Sequence, residues 1–254
     1  MNIDAPLKTQ IPQLRALWME AFGDTEAFLD TFFQNAFSTD RCRCVTIDNS
    51  VVAALYWFDC SYDTHKVAYV YAVATAKAHR GQGLSHKLME NTHTHLQSLG
   101  YEGVILVPGS ESLFRFYAGM GYEICSYIRE FHCAGGNKNA SSFIQEIDKT
   151  EYALLRPRFL PAGSVIQENE NLDFLETMTK FYVGDHFLLA ASSHESHLFA
   201  TELLGDSSYA PEIVQALGYN EGTFRTPGTQ RAFAMYFPLT KNKTAPKYFG
   251  FAFD

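Results

Sequence analysis

The chain has 254 residues, 46% hydrophobic and 19% charged, which is enough for one large globular domain or two small ones. No run of about 18 or more apolar residues occurs, and Met1-Asn2-Ile3-Asp4-Ala5-Pro6 lacks a basic-then-apolar leader, so neither a membrane span nor a secretory signal is expected and the cytoplasm is the expected location. A net charge of -8 argues against nucleic acid as a partner and suits a cationic amine substrate.

From Ile11 to Phe37 the apolar residues recur at helical spacing in two stripes, Leu14, Leu17, Trp18, Ala21, Phe22 and then Phe28, Leu29, Phe32, Phe33, Phe37. Gly23-Asp24 separates them, which predicts two short helices. Strands follow at 41–48 and 51–58 around the turn Asp48-Asn49-Ser50, and a polar loop is expected over 59–65. Val67 to Thr75 is aromatic, β-branched and nearly uncharged, as suits a strand buried on both faces of a sheet. Three antiparallel strands therefore lead into Arg80-Gly81-Gln82-Gly83-Leu84-Ser85, which opens a helix with Leu84, Leu88, Leu96 and Leu99 on one side. A glycine turn between an apolar strand and a helix aims backbone N–H groups and the positive helix end at one point, and two glycines let a ligand approach closely. An anion, foremost a phosphate, is expected there, with Lys77, His79 and Arg80 adding charge. A short strand Gly103–Val107 and an aromatic helix, Phe114-Arg115-Phe116-Tyr117-Ala118-Gly119-Met120-Gly121-Tyr122, come next.

Arg80-Gly81-Gln82-Gly83-Leu84-Ser85 resembles the Arg/Gln-x-x-Gly-x-Gly/Ala pyrophosphate loop of the GNAT acetyltransferase superfamily, and the segment 114–122 is similar to that family's Tyr-x-x-x-Gly-Phe/Tyr stretch. The two matches bracket one strand at the family's spacing. Two positions depart from the pattern: Ser85 replaces a small Gly/Ala, and Ser110 stands where many members carry Asn. The resemblance implies an α/β (α+β) fold with a mixed sheet flanked by helices. It implies acetyl-CoA as cosubstrate, its diphosphate held by Arg80, Gly81, Gln82, Gly83, Leu84 and Ser85 and its amide arm paired with Val73, Ala74 and Thr75 on a splayed strand. Acetyl transfer by direct attack of an amine needs an oxyanion donor, a path for the amine proton and an acid for the leaving sulfur. A backbone N–H near Val73 or Ala74 and the Tyr117 hydroxyl are the candidates for the first and third. The alternative for Tyr117 is packing under Phe114 and Phe116, and the N-terminal aromatics either line an acceptor pocket or, as is favoured, form core. Asp59, Asp63, Glu111 and His79 lie near the expected mouth, and none stands out as a base.

Residues 133–141 are small, polar and without period, which suggests a linker between a domain at 1–134 and another at 141–254. Helices are expected from Phe143 to Leu155 and over Leu172, Leu175, Met178, Thr179 and Tyr182. Then come strands at 187–191 and 197–204, a helix at 209–217, and strands at 222–226 and 231–237. The order strand, turn, helix, strand repeats the phosphate region, but the turn Gly205-Asp206-Ser207-Ser208 has one glycine and a carboxylate that repels phosphate. Phe224-Arg225-Thr226-Pro227-Gly228 and Phe233-Ala234-Met235-Tyr236 resemble C-terminal halves of tandem superfamily members, including the Eis-like group, so a degenerate second GNAT-like half without cofactor is expected. The aromatic terminus Tyr248 to Phe253 is strand-like, and burying it would carry Asp254 and the terminal carboxylate toward the site as an acceptor of the amine proton. Five cysteines (Cys42, Cys44, Cys60, Cys125, Cys133) at no ligand spacing are expected as reduced thiols. His93-x-His95 and His194-x-x-His197 do not converge, so no metal is expected. The sequence-based reading is an acyltransferase that moves acetyl from acetyl-CoA to a small-molecule or peptide amine. The alternatives are a non-catalytic CoA-binding sensor and an acyltransferase for longer chains. The acceptor and the oligomeric state stay open.

Overall fold

The computed structural model describes residues 1–136, 143–241 and 244–253. The chain forms two compact units, one of residues 1–123 with 236–245, the other of residues 124–235 with 246–254.

The first unit begins with a short strand missing from the sequence reading, β1 (Asn2–Asp4), paired antiparallel with β2 (Cys42–Ile47). The two expected helices are α1 (Ile11–Phe22), with Pro12 in its first turn, and α2 (Glu26–Asn35). Gly23, at φ 78°, ends α1 in the left-handed conformation that a Cβ disfavours. The Thr25 hydroxyl accepts the Phe28 N–H and starts α2. Strands β2, β3 (Ser50–Tyr62) and β4 (His65–Thr75) form consecutive hairpins. The expected polar loop at 59–65 is instead strand up to Tyr62 and a two-residue turn, Asp63-Thr64, with φ 46° and 70°. Cys60 and Tyr62 are buried while Ser61 is exposed, so a period-two pattern runs on beneath the polar composition. Cys42, Cys44 and Cys60 are buried and Cys125 and Cys133 half-buried, none of them in a disulfide among the described residues.

After the phosphate turn come α3 (Leu84–Ser98), β5 (Gly103–Leu106) and α4 (Glu111–Ala118). The sheet order is β1-β2-β3-β4-β5, with β4 and β5 parallel. Alternate residues of β3 and β4 face opposite layers. Tyr56, Phe58 and Tyr71 meet Trp18 or Phe32 of α1 and α2, while Trp57 meets His95 of α3. Trp18, Phe32, Tyr56 and Phe58 are buried, so the inner N-terminal aromatics are core; Phe22 is exposed, and Phe28, Phe33 and Phe37 are half-buried.

The second unit contains β6 (Glu123–Ala134, its first residue excepted), β7 (Ile144–Ile147), α5 (Lys149–Phe159), β8 (Ile166–Gln167) and α6 (Glu170–Glu176). It continues through β9 (Lys180–Gly184), β10 (Phe187–His194), β11 (His197–Gly205), α7 (Ala210–Ala216), β12 (Glu221–Pro227) and most of β13 (Arg231–Pro238). The expected linker falls partly at 137–142, outside the described residues. Residues 144–147 were expected as helix and form a strand, because Asp148 caps the Thr150 and Glu151 N–H groups and starts α5 only there. Tyr182 likewise belongs to β9, α6 having ended at Glu176. The order here is β6-β12-β11-β10-β9-β7. Leu198, Ala200, Ala210, Ile213, Val214 and Phe224 knit β11, α7 and β12 into one core.

The terminal segment is buried without being a strand. Gln167 donates to the Phe251 carbonyl at 2.9 Å and accepts its N–H at 3.0 Å, and the Ser126 hydroxyl accepts the Phe249 N–H at 3.0 Å. Side chains thereby satisfy main-chain groups that a ladder would otherwise hold. Beside this segment lies a buried ion pair. Arg156 donates to both Glu202 oxygens at 2.8 and 2.9 Å, and Tyr152 and Tyr248 donate to the same carboxylate. Arg156 also covers the Phe251 ring at 4.2 Å. Asp254 is outside the described residues.

Candidate active site

The parallel pairing of β4 with β5 stops early. Val67, Ala68 and Tyr69 face Gly103, Val104 and Ile105, and beyond Tyr69 β4 continues for six residues paired only with β3. Three residues on, Ala72 takes φ 49°, and the β3–β4 register slips between Ala54 and Tyr56. A positive φ on a non-glycine residue inside a strand costs about 1 kcal/mol or more, and the bulge it makes re-aims the backbone that follows. Ala76 donates to the Val52 carbonyl at 2.8 Å. By the alternation of an antiparallel pair Ala74 also faces β3, so Val73 and Thr75 turn their N–H and C=O groups away from it, toward the side β5 has left. Of Val73 and Ala74, Val73 is thus the one whose N–H faces the open side.

The turn after β4 leaves main-chain donors open. Gly81 and Gly83 have φ 74° and 72°, and a Cβ at either would meet no atom within 4 Å. These glycines therefore serve backbone conformation and leave open space above them. No side chain caps Gly83 ahead of α3, and the N–H groups of Gly81, Gln82 and Gly83 have no partner among the described residues. Three open donors at the positive end of a 15-residue helix make a site that a diphosphate fits. Arg80 is exposed, its Nε on the Thr75 carbonyl at 3.1 Å, and the Ser85 hydroxyl lies 2.8 Å from that of Thr75. Leu84 turns its side chain into the core and contributes only main chain. The Lys77 N–H is held by the Glu20 carboxylate of α1 at 2.7 Å. An extended edge with free peptide groups, ending at an anion turn, fits a carrier with an amide arm and a diphosphate.

Tyr117 sits in the last turn of α4, whose N-terminus is capped by Ser110. Its ring packs edge-on against Phe116 and Tyr122 at 5.1 and 5.6 Å, so packing is part of its role. Its hydroxyl has no hydrogen-bond partner among the described residues. Burial pushes its pKa up to about 12, which keeps the proton on the oxygen at neutral pH. Tyr122 is different. Its hydroxyl lies 2.7 Å from His93 Nε2, and His93 stacks on Phe237 at 4.5 Å. Burial, with a smaller contribution from His86, lowers the His93 pKa to about 4, so this imidazole is neutral and unsuited to proton uptake near pH 7. The sequence reading did not foresee this pair, since His93 lies one helix away from the aromatic segment.

Among the suggested bases, Asp59 accepts the Tyr101 hydroxyl, and Glu111 is exposed and faces Arg115 at 3.8 Å on its own helix. Asp63 lies in the β3–β4 turn, and the His79 Nδ1 is buried without a partner among the described residues, beside the glycine turn.

The second unit repeats the strand arrangement. β11 pairs parallel with β12 only over His197 to Ala200, and its register with β10 slips by one residue at Thr201. Its turn is closed, however. A Cβ on Gly205 would meet the His186 carbonyl at 2.3 Å, and Asp206 places its own carboxylate on the Ser208 N–H at 2.9 Å. The backbone donor that would serve an anion is already taken by one.

Residues 2–125 match the family described as Acetyltransferase (GNAT) domain. The fold is similar to the GCN5-related N-acetyltransferase of Anabaena variabilis, with a TM-score of 0.73 and 14% identity over 94% of this chain and 73% of that one. The enzyme of the same description from Kribbella flavida gives 0.71 and 15% over 92% and 70%, and Eis1 from Mycobacterium abscessus 0.68 and 11% over 94% and 74%. Among curated proteins none matches. The match to the GNAT acetyltransferase family thus covers the N-terminal part of the chain, and the fold is GNAT-like, with a mixed sheet that carries the splayed strand and the glycine turn. Among the described residues no helix is long and apolar enough to cross a membrane.

Proposed function

We propose that the protein is an N-acetyltransferase that binds acetyl-CoA on the Val73–Ser85 segment and passes the acetyl group directly to a primary amine. The observation that carries this is the pairing of an open strand edge, at the Val73 main chain and the Thr75 N–H, with the Gly81, Gln82 and Gly83 N–H groups, which have no partner among the described residues.

In this reading the amine nitrogen attacks the thioester carbonyl, the new C–N bond forms, and the C–S bond breaks with the electron pair leaving on sulfur. The Val73 N–H donates to the carbonyl oxygen as it gains charge. Tyr117 donates a hydrogen bond to the departing sulfur. A phenol of pKa about 12 is too weak an acid to surrender its proton outright to a thiolate whose ordinary pKa is about 8.5. The net proton that converts thiolate to thiol is therefore the one lost by the attacking amine, with Tyr117 as the fixed donor along the way. The acceptor is a small-molecule or peptide amine, and the terminal carboxylate at Asp254 is a candidate for taking the amine proton.

The second unit is read as a degenerate half that holds no coenzyme, on the strength of the filled turn at Gly205-Asp206. Isothermal titration with coenzyme A tests both readings. One molecule per chain supports them, two overturn the degenerate half, and none overturns the acetyltransferase. Screening amines for acetyl-CoA-dependent thiol release then tests catalysis, and binding without release from any amine would favour the sensor.

A further inference from the structure

Both ends of the phosphate turn are fastened to one residue of β4. Arg80, which opens the turn, donates from Nε to the Thr75 carbonyl at 3.1 Å, and Ser85, in the first turn of α3, meets the Thr75 hydroxyl at 2.8 Å. The carbonyl is one of the two main-chain sites that face away from β3, so a side chain of the turn, and not a neighbouring strand, satisfies it. Arg80 uses only one corner of its guanidinium there. The remaining N–H groups of the fork have no partner among the described residues, and a planar guanidinium bonds two acceptors at once without changing rotamer. Ser85 occupies the place where the resembled motif carries Gly or Ala, and only a hydroxyl makes the second tie.

We propose that Arg80 and Ser85 are positioning residues, which through Thr75 set the spacing between the strand edge that takes the amide arm and the turn that takes the diphosphate. The inference rests on the reading given above. A carrier held at both ends presents its reacting carbon wherever those ends dictate, and a misplacement of about 1 Å at that carbon costs up to about 10²-fold in rate. A residue that served the diphosphate alone would matter only for carriers that have one. A residue that also holds Thr75 matters for a carrier without it.

The test compares wild type, R80A, R80K and S85A on acetyl-CoA and on acetylpantetheine, which keeps the thioester and the amide arm and lacks the diphosphate. Thiol release with an amine acceptor is the first readout, and Kd by calorimetry reads the same comparison independently of turnover. R80A is expected to lose about tenfold in kcat/KM on acetylpantetheine, the worth of one hydrogen bond from a charged donor, and more on acetyl-CoA. R80K, which keeps the charge but not the fork, is expected to regain part of the acetyl-CoA affinity and none of the acetylpantetheine activity. S85A is expected to lower kcat about threefold to tenfold on both carriers with little change in KM. R80A within about twofold of wild type on acetylpantetheine, while weak on acetyl-CoA, overturns the inference and leaves Arg80 as a phosphate ligand only. Wild type that binds no coenzyme A overturns the acetyltransferase reading, and this inference with it.

Discussion

Replacing Tyr117 with Phe removes one oxygen and nothing else. The hydroxyl makes no hydrogen bond among the described residues, and the ring keeps its contacts with Phe116 and Tyr122. The change in stability is therefore expected to stay within about 0.5 kcal/mol, a shift of roughly 1–2 °C in melting temperature for a chain of this size. The catalytic effect is expected to be much larger. A fixed hydrogen-bond donor to developing charge contributes about 10²–10³-fold, which at about 1.4 kcal/mol per decade is roughly 3–4 kcal/mol of barrier. Measured with any amine that gives turnover, kcat should fall by that factor while the Kd of acetyl-CoA stays unchanged. Because the Tyr117 pKa lies at about 12, its ionisation should place no alkaline limb on the wild-type rate profile below about pH 11. A Y117F variant with wild-type kcat, or one that loses turnover only in step with melting temperature, would refute the assignment and leave Tyr117 as packing.

Y122F should behave in the opposite way, because it strips the buried His93 Nε2 of its partner. A cost of about 1–3 kcal/mol, seen as a drop of several degrees in melting temperature, is expected with only a secondary effect on rate. His93 itself makes stability depend on pH. Its folded pKa, about 4, lies below the ordinary imidazole value of 6.5, so the unfolded chain binds more protons between these values and this contribution to stability falls as pH drops from about 6.5 to about 4. Denaturant midpoints of H93Q against wild type over that range check it, and an H93Q slope as steep as wild type would contradict it. In the second unit E202Q or E202A leaves the buried Arg156 cation without its counter-charge. A loss of about 3–5 kcal/mol is expected by urea unfolding, against the near neutrality expected of an exposed pair such as Lys180–Glu146. Deleting Asp254 tests its proposed proton-accepting role through the kcat profile against pH, and unchanged turnover would remove it from the mechanism.

The glycine turn before α3 was legible in the sequence because its physics is local: two glycines, a basic residue and a helix start act within six positions. The paired helices before it were legible for the same reason, with Gly23 and Thr25 marking their ends. What the sequence hid depends on partners far along the chain. The strand from Asp59 to Tyr62 looks polar because one of its faces is wet, and β7 reads as helix because Ile144 and Ile147 stand three apart, a helical spacing that in a strand puts them on opposite faces. The bulge at Ala72 leaves no trace in composition, since alanine carries no preference for a positive φ. The ties from Arg80 and Ser85 to Thr75, and the His93–Tyr122 pair, are side-chain contacts that appear only once α3 has packed against β4 and against the segment that follows α4. The carboxylate in the turn of the second unit was legible at Asp206, but the carbonyl of His186 beneath Gly205 was not: glycine serves close packing there, whereas at Gly81 and Gly83 it leaves open space.

The most direct test of the account is a crystal structure with coenzyme A bound. The diphosphate should lie within hydrogen-bond distance of the N–H groups of Gly81, Gln82 and Gly83, with the amide arm running along Thr75 and Val73. Phosphates bound at Gly205-Asp206, or a ligand elsewhere that leaves the N–H groups of residues 81–83 facing water, would contradict it.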